Sequence, residues 1–341
     1  MIHLQRLFSP VIRPSSTSKA CCDYTVQIVT TAKSSPRNRR RRQQPKPPKP
    51  VSIVSPWSLE RKHGLKVLRL APFAKLPWLV HGFSTRFGGT SILDGSKVLN
   101  LAFMDWDKRE QVLENRQRFQ AALGAREFSL APLKQVHSDL VHRFSAESAE
   151  PIFADASMTK ETNLLLSVQT ADCVPILLVD SKKRAVAAIH AGWRGTLSRV
   201  AEKAVGRMRQ EYGSKPSDLL AAIGPSIGQC CYEVGVELVT RFTALFADGH
   251  EYFDEPRTGD EPNPIQWLNM KPPGHQPPPK NVRLDLRKAN ISQLRSAGIR
   301  SANIYASDLC TACNTDLLFS YRREGSRSGR MMSVIGIRSK G

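Results

Sequence analysis

Apolar and polar positions alternate along the chain in two distinguishable ways. Short apolar runs bounded by Gly, Pro or Asp suggest strands, and apolar residues returning every three or four positions suggest helices. Leu79–Arg86 reads as a strand that stops at Gly88-Gly89, where glycine supplies the positive φ of a turn. Val112, Arg116, Phe119 and Leu123 recur at helical spacing, predicting a helix over Lys108–Leu123. Asp105 and Asp107 stand as candidate N-caps for it and Gly124 as its C-cap. Lys134–Phe144 is expected to be a strand. Leu164–Gln169 and Cys173–Asp180 are rich enough in Leu and Val to be buried on both faces, and Ala185–His190 follows them.

Gly192-Trp193-Arg194-Gly195 then opens a helix expected to reach Tyr212. A strand over Leu219–Ile223 stops at Gly224-Pro225. Helical patterns cover 234–247 and 285–297, and strands over Ile299–Ala306 and Met331–Ile337 close the chain. Residues 251–282 break the pattern: eight prolines punctuate a polar stretch that reads as a surface insertion. The expectation is a single mixed α+β domain over 65–341, with mixed β-sheets flanked by helices. No internal repeat is visible.

Charge changes the picture at the N-terminus. Of 341 residues, 50 are Lys or Arg and 30 are Asp or Glu, a formal charge of +20. Residues 1–50 hold 11 Lys/Arg and one acid, Asp23, so half of the excess lies there. Such a segment cannot bury enough apolar surface to offset its ordering entropy. Residues 1–64 are therefore expected to be a disordered basic tail. Its Ser and Arg content fits an organellar transit peptide, for the chloroplast ahead of the mitochondrion. A nucleic-acid arm or nuclear signal built on Arg37-Asn38-Arg39-Arg40-Arg41-Arg42 and a plain disordered tail are the other readings, and a cytoplasmic protein follows if the tail is not a transit peptide. The longest apolar run, Val174–Val179, is far short of a membrane span.

Three segments place metal-ligand residue types at strand ends: Gln135-Val136-His137, Thr170-Ala171-Asp172-Cys173, and His190-Ala191-Gly192-Trp193-Arg194-Gly195. Three N/S ligands with one open position is the arrangement of a catalytic zinc, which supplies a Lewis acid and can generate hydroxide from water. No pair has the spacing of a short motif, so each His also reads as a structural histidine and Cys173 as core. Gly192–Gly195 between strand and helix reads either as a tight turn or, with Arg194, as an anion site. Cys310-Thr311-Ala312-Cys313 is a lone CxxC; Cys230-Cys231 has the wrong spacing for its zinc-ribbon partner, so these four read mainly as ordinary thiols.

Taken in order, several strings resemble one family. They are Phe83-Ser84-Thr85-Arg86-Phe87-Gly88-Gly89, Asn100-Leu101, Gln135-Val136-His137, Ala154-Asp155-Ala156, Thr170-Ala171-Asp172-Cys173-Val174-Pro175 and His190-Ala191-Gly192-Trp193-Arg194-Gly195. Ile223–Gly228, Tyr232–Gly235, Phe319–Arg323 and Ser328–Met331 continue the match. The family is the laccase-domain family, formerly called multicopper polyphenol oxidases and now described as purine nucleoside phosphorylases.

The resemblance implies a cytotoxic-necrotizing-factor-like α/β fold with mixed sheets flanked by helices. It implies a metal held by the positions matching His137, Cys173 and His190, with Zn2+ ahead of Cu2+. It also implies phosphorolysis of adenosine, inosine, guanosine and S-methyl-5'-thioadenosine, with adenosine deamination as a further activity. Phosphate then falls to Arg194, with Arg86 as a second candidate. Asn100 joins them as substrate-binding, and Asp172 is expected to orient a ligand or contact ribose. The tail, the insertion 251–282 and the second Cys of the CxxC depart from the family pattern. A homodimer is left open.

Three rival classes remain. True laccase chemistry needs a copper cluster fed by paired histidines, whereas this chain has eight His and no His-x-His pair. A metal-free hydrolase would use Cys173 with His190 as a thiolate–imidazole pair. A nucleic-acid-binding protein would rest on the basic tail, but aromatics are few, at 7%, and no binding motif is present.

Overall fold

The computed structural model describes residues 56–131, 133–145, 152–254 and 281–339. Most of the expected tail and the interior of the expected insertion, 255–280, lie outside the described residues. Described order begins ahead of residue 65, with a hairpin whose strands Trp57–Lys62 and Leu65–Leu70 pair antiparallel through a His63-Gly64 turn at positive φ. Its outer strand alternates polar residues on an edge, Ser58, Glu60 and Lys62, which hides it from a search for apolar runs.

Two six-stranded mixed sheets dominate. The first runs Trp57–Lys62, Leu65–Leu70, Leu79–Ser84, Met331–Ile337, Leu164–Thr170, Ser129–Leu130. The second runs Ile304–Ala306, Leu219–Ile223, Val174–Asp180, Ala185–Ala191, Ala156–Thr159, Val141–Arg143. They pack face to face. Phe83, Leu166, Val168 and Ile335 of the first meet Leu177, Val179, Val186 and Ala188 of the second.

The outer face of the first sheet, through Val80, Leu165 and Val334, is covered by Phe119 and Ala122 of the helix Arg109–Ala122. The outer face of the second packs on helices Val200–Tyr212, Glu237–Leu245 and Leu286–Ser296. Strands covered on both faces are apolar along most of their length, which is why Val174–Val179 and Ala185–Ile189 read as continuous runs. Phe83 is 1% exposed between the sheets. Its truncation to Ala would cost about 3–5 kcal/mol. No helix among the described residues is long and apolar enough to cross a membrane.

Several expectations need correcting. The strand expected over Ile299–Ala306 covers only Ile304–Ala306, after a short turn at Ser301–Asn303, and Gly88-Gly89 lies inside the strand Phe87–Leu93. The helix Arg109–Ala122 has no side-chain cap; Asp107 instead accepts hydrogen bonds from Ser91 and Asn100. Lys134–Phe144 is not one strand but two short ones, Leu133–Lys134 and Val141–Arg143, with a loop between them. The helix opened by Gly192 ends at Leu197, and a second runs Val200–Tyr212, because Arg199 takes a left-handed conformation between them. The 234–247 segment begins as a strand, Glu233–Gly235, that pairs with Asn281–Leu284. That strand also pairs with Phe253–Asp254, so the chain on either side of 255–280 is joined in one small sheet.

Candidate metal site

The chain passes from the first sheet to the second at Ala171-Asp172-Cys173, between strands Leu164–Thr170 and Val174–Asp180. Asp172 makes the turn at φ 92. The register that pairs Val174 with Ala191 and Pro175 with His190 brings His190 to the same sheet end as Cys173. Next along the sheet, the backbone N–H of His190 donates to the carbonyl of Asp155 at 2.7 Å. Cys173, His190 and Asp155 thus come from three adjacent strand ends.

His137 arrives differently. The loop that interrupts the expected 134–144 strand folds over Asp155. The backbone N–H groups of Val136, His137 and Ser138 all donate to the Asp155 carboxylate, at 3.2, 3.0 and 2.5 Å, and the Ser138 hydroxyl adds a fourth bond at 2.8 Å. His137 itself has φ 58, a left-handed backbone maintained by this cradle. Gln135 pins the loop from behind through two hydrogen bonds with Gln169, at 2.9 and 2.7 Å.

The result is a cluster of His137, Cys173 and His190 in which one donor atom of each lies within 4.8 Å of the others. The two imidazoles stand edge to face with centroids 4.8 Å apart. His190 is buried, at 3% exposure, while His137 is exposed, so the cluster opens toward solvent on one side. His190 Nδ1 lies 2.8 Å from Asp155, which is fully buried. An ionised Asp155 holds a proton on Nδ1 and leaves Nε2 free for the cluster.

Electrostatics follow from these contacts. Burial opposes ionisation of Cys173, but the charge of His190 and the hydrogen bond with His137 outweigh it and hold the thiol at about 6. Burial likewise opposes a charge on His190, and the Cys173 thiolate and Asp155 overcome it, raising the imidazole to about 9. Burial would raise Asp155 too, yet His190 and Ser138 hold it at about 2. Together the groups make a polarised Asp–His–Cys line with a second imidazole beside it.

The donor chemistry fits a metal, two nitrogens and a sulfur with one side open. The backbone fits as well. Gly192 sits beside Cys173 and His137, and a Cβ there would meet Cys173 Sγ at 3.1 Å and His137 Cδ2 at 3.2 Å. Glycine keeps the space between the donors clear. Among the described residues no other histidine joins them. His81 is buried in the first sheet, its Nε2 accepting from the Leu70 N–H at 3.1 Å.

The other expected site residues separate into two groups. Arg194 is exposed, with its guanidinium 4.4 Å from the Trp193 ring on a helix only five residues long. A single turn carries little dipole, so anion attraction there rests on the side chain. Asp172 contacts none of the three donors; it accepts from the Thr311 hydroxyl and the Arg322 N–H, both at 2.6 Å. Arg86 is spent on Glu324 and the Thr315 carbonyl, each at 2.7 Å, and lines a cleft of about 720 Å³ with Lys97 and Arg323. Asn100 is fully buried, bonded to Asp107, Ala102 and the Arg330 N–H.

Two residues escaped the sequence reading. Asp155 is the organiser of the cluster; its only signal was its place in the Ala154-Asp155-Ala156 string. Arg330 is half-buried, and burial lowers its pKa while Cys173 and Asp172 pull it back up, which places a second cation within electrostatic reach of the cluster.

Residues 80–338 match the sequence model described as multi-copper polyphenol oxidoreductase laccase. The chain is 32% identical to a Geobacillus stearothermophilus protein named purine nucleoside phosphorylase YlmD, over 76% of this chain and 91% of that one. The crystal structure of YlmD covers 84% of this chain and all of its own, at TM-score 0.68 and 31% identity. A protein of an unknown prokaryotic organism named adenosine deaminase RL5 is 35% identical over 77% of this chain and 96% of its own. Bacillus licheniformis YfiH superposes at TM-score 0.70, 29% identical, over 84% of this chain and all of that one.

Proposed function

The chain belongs to the multi-copper polyphenol oxidoreductase laccase family, and on that premise we propose that it is a zinc-dependent purine nucleoside phosphorylase. Its substrates under this reading are adenosine, inosine, guanosine and S-methyl-5'-thioadenosine, with adenosine deamination as a side activity. The observation that carries the reading is the convergence of His137, Cys173 and His190 within 4.8 Å on an open side of the fold. Relatives named purine nucleoside phosphorylase and adenosine deaminase supply the substrate class.

His137, Cys173 and His190 would hold the zinc. Bound there, the ion would supply a Lewis acid and, for deamination, would lower the pKa of water. The protein's own residues do the rest. Asp155 fixes the tautomer and tilt of His190 and, through three backbone N–H groups, the position of His137.

In phosphorolysis a phosphate oxygen forms a bond to C1′ as the C1′–N9 bond breaks, and the electron pair leaves with the purine. Two charges need partners: the incoming phosphate and the departing base. Arg194, exposed beside the cluster's strand, meets the phosphate, and Arg330, which interacts electrostatically with Cys173, adds positive potential. Arg86 and Asn100 do not contact substrate in this scheme, because their polar groups are already bonded within the fold.

The test is a nucleoside panel with and without phosphate, following free base, ribose 1-phosphate and ammonia separately. Base release that requires phosphate and yields the sugar phosphate is the expected result. Base release at equal rates without phosphate sinks the reading.

One observation favours a second reading. Asp155, His190 and Cys173 form a relay with the thiol held at about 6, the arrangement of a cysteine nucleophile. A hydrolase of that kind stays active after chelation and dies on alkylation of Cys173; a zinc enzyme is stopped by chelation.

A further inference from the structure

Outside this cluster, the fold brings together four thiols that the sequence spacing kept apart. Cys230 and Cys231 follow the strand Leu219–Ile223, and Cys310 and Cys313 follow Ile304–Ala306. Those two strands pair in parallel, and a bridge from Ser226 to Cys310 continues the pairing past their ends. Two loops that are 79 residues apart in the chain therefore leave the sheet side by side. One sulfur of each cysteine lies within 4.8 Å of the other three. Cys313 Sγ is 3.4 Å from Cys231 Sγ and 3.6 Å from Cys230 Sγ.

We propose that Cys230, Cys231, Cys310 and Cys313 form a second metal centre, a closed four-thiolate site for a zinc ion. Four sulfurs at 2.3 Å from a tetrahedral ion lie about 3.8 Å from one another, close to the 3.4 and 3.6 Å from Cys313 and within the 4.8 Å that spans the group. A four-iron cluster spreads its thiolates around a cube of iron and sulfide, wider than this pocket.

The surroundings match a metal thiolate. The Gly228 N–H donates to Cys310 Sγ at 3.2 Å, and Arg323 reaches Cys231 Sγ at 3.8 Å while its Nε donates to the Ala312 carbonyl at 3.0 Å. N–H···S bonds and a nearby cation offset the negative charge of four thiolates. The Asn314 N–H closes a turn onto the Cys310 carbonyl at 3.1 Å, so the CxxC presents both sulfurs to one side. Gly228 lets the backbone approach: a Cβ there would meet Cys230 Sγ and Cys310 Cβ, each at 3.2 Å. No position is left for substrate, so the ion is structural. It fastens the 228–231 loop to the 310–313 loop independently of what the first cluster catalyses.

Metal content of the full chain, purified with reductant and zinc, tests this directly. Two zinc equivalents per chain are expected in the unaltered protein, and one each in Cys173→Ser and in the pair Cys310→Ser with Cys313→Ser. Should the paired variant fail to fold, cobalt carries the test alone. Cys173→Ser loaded with Co2+ should bind one equivalent and develop the intense sulfur-to-cobalt absorption of tetrahedral thiolate coordination. The proposal is overturned by an unaltered chain whose metal is lost entirely in Cys173→Ser, by Cys173→Ser that takes no cobalt, by a cobalt spectrum without thiolate bands, or by iron in place of zinc; a single equivalent that survives Cys173→Ser supports this site and counts only against zinc at the first cluster.

Discussion

The two sulfur-bearing clusters differ in almost every physical respect. At the first, one thiol shares its surroundings with two imidazoles and a buried carboxylate, and exposure rises from His190 to His137. At the second, four thiols face one another, and Cys310 accepts from the Gly228 N–H. In the first, opposite charges stabilise each other, so Cys173 ionises easily without a metal. In the second, burial and the Cys310 charge push Cys230 well up, and burial with the Cys231 and Cys230 thiols does the same to Cys313. Four thiolates there need a cation to exist together. A preorganised, open site suits chemistry, whereas one that requires its ion suits a fastening.

Breaking the first cluster should have the largest effect. Cys173→Ala should lose its metal and lower phosphorolysis by more than about 100-fold, beyond the range of an outer-shell change. The second site should keep its equivalent, read by metal analysis beside the activity assay. Full activity in this variant ends the zinc assignment. Asp155→Asn removes the charge that orients His190. Metal affinity at the first site should fall about 10- to 100-fold, measured by competition with a chromogenic chelator. An equal loss at both sites would mean a general disruption of the fold.

Arg194→Ala should raise KM for phosphate about tenfold, the low end for a charged hydrogen bond at an exposed position, and leave KM for nucleoside nearly unchanged. Equal shifts in both would remove its anion role. The smallest effect sharpens the contrast in acidity. In metal-stripped protein the Cys173 thiolate is present above about pH 6 and disappears below it, because its pKa is depressed from 9.0. Alkylation at pH 7 should therefore label Cys173 ahead of Cys230 and Cys313, as peptide mass spectrometry would read. Uniform labelling would erase the distinction.

How much of this was legible in the chain follows from what each feature depends on. Strands covered on both faces announce themselves, because burial favours an unbroken apolar run, as in Val174–Val179 and Ala185–Ile189. Cys173 and His190 sit at the ends of such strands and were visible as candidates for that reason. His137 was named from its string, yet its loop was read as strand, since a carboxylate 18 residues away shapes it. Asp155 carries no such signal, because its partners His190 and Ser138 are set by the fold. Arg86 and Asn100 look like free polar groups in sequence; only the fold reveals Glu324 and Asp107 as their partners. The four-cysteine group was the clearest miss. Its spacing is set by the pairing of strands Leu219–Ile223 and Ile304–Ala306, which no linear motif encodes.

Asp172 joins the two regions. It precedes Cys173 in the chain, accepts from Thr311 between the cysteines of the CxxC, and accepts from the Ile227 N–H through its own carbonyl at 2.9 Å. A tether of this kind transmits strain in both directions. If filling one centre alters the grip of the other, thermodynamic reciprocity requires the same factor in reverse. Titrating either ion in the presence and absence of its neighbour would weigh that link, and through it the extent to which a remote fastening tunes the reactive one.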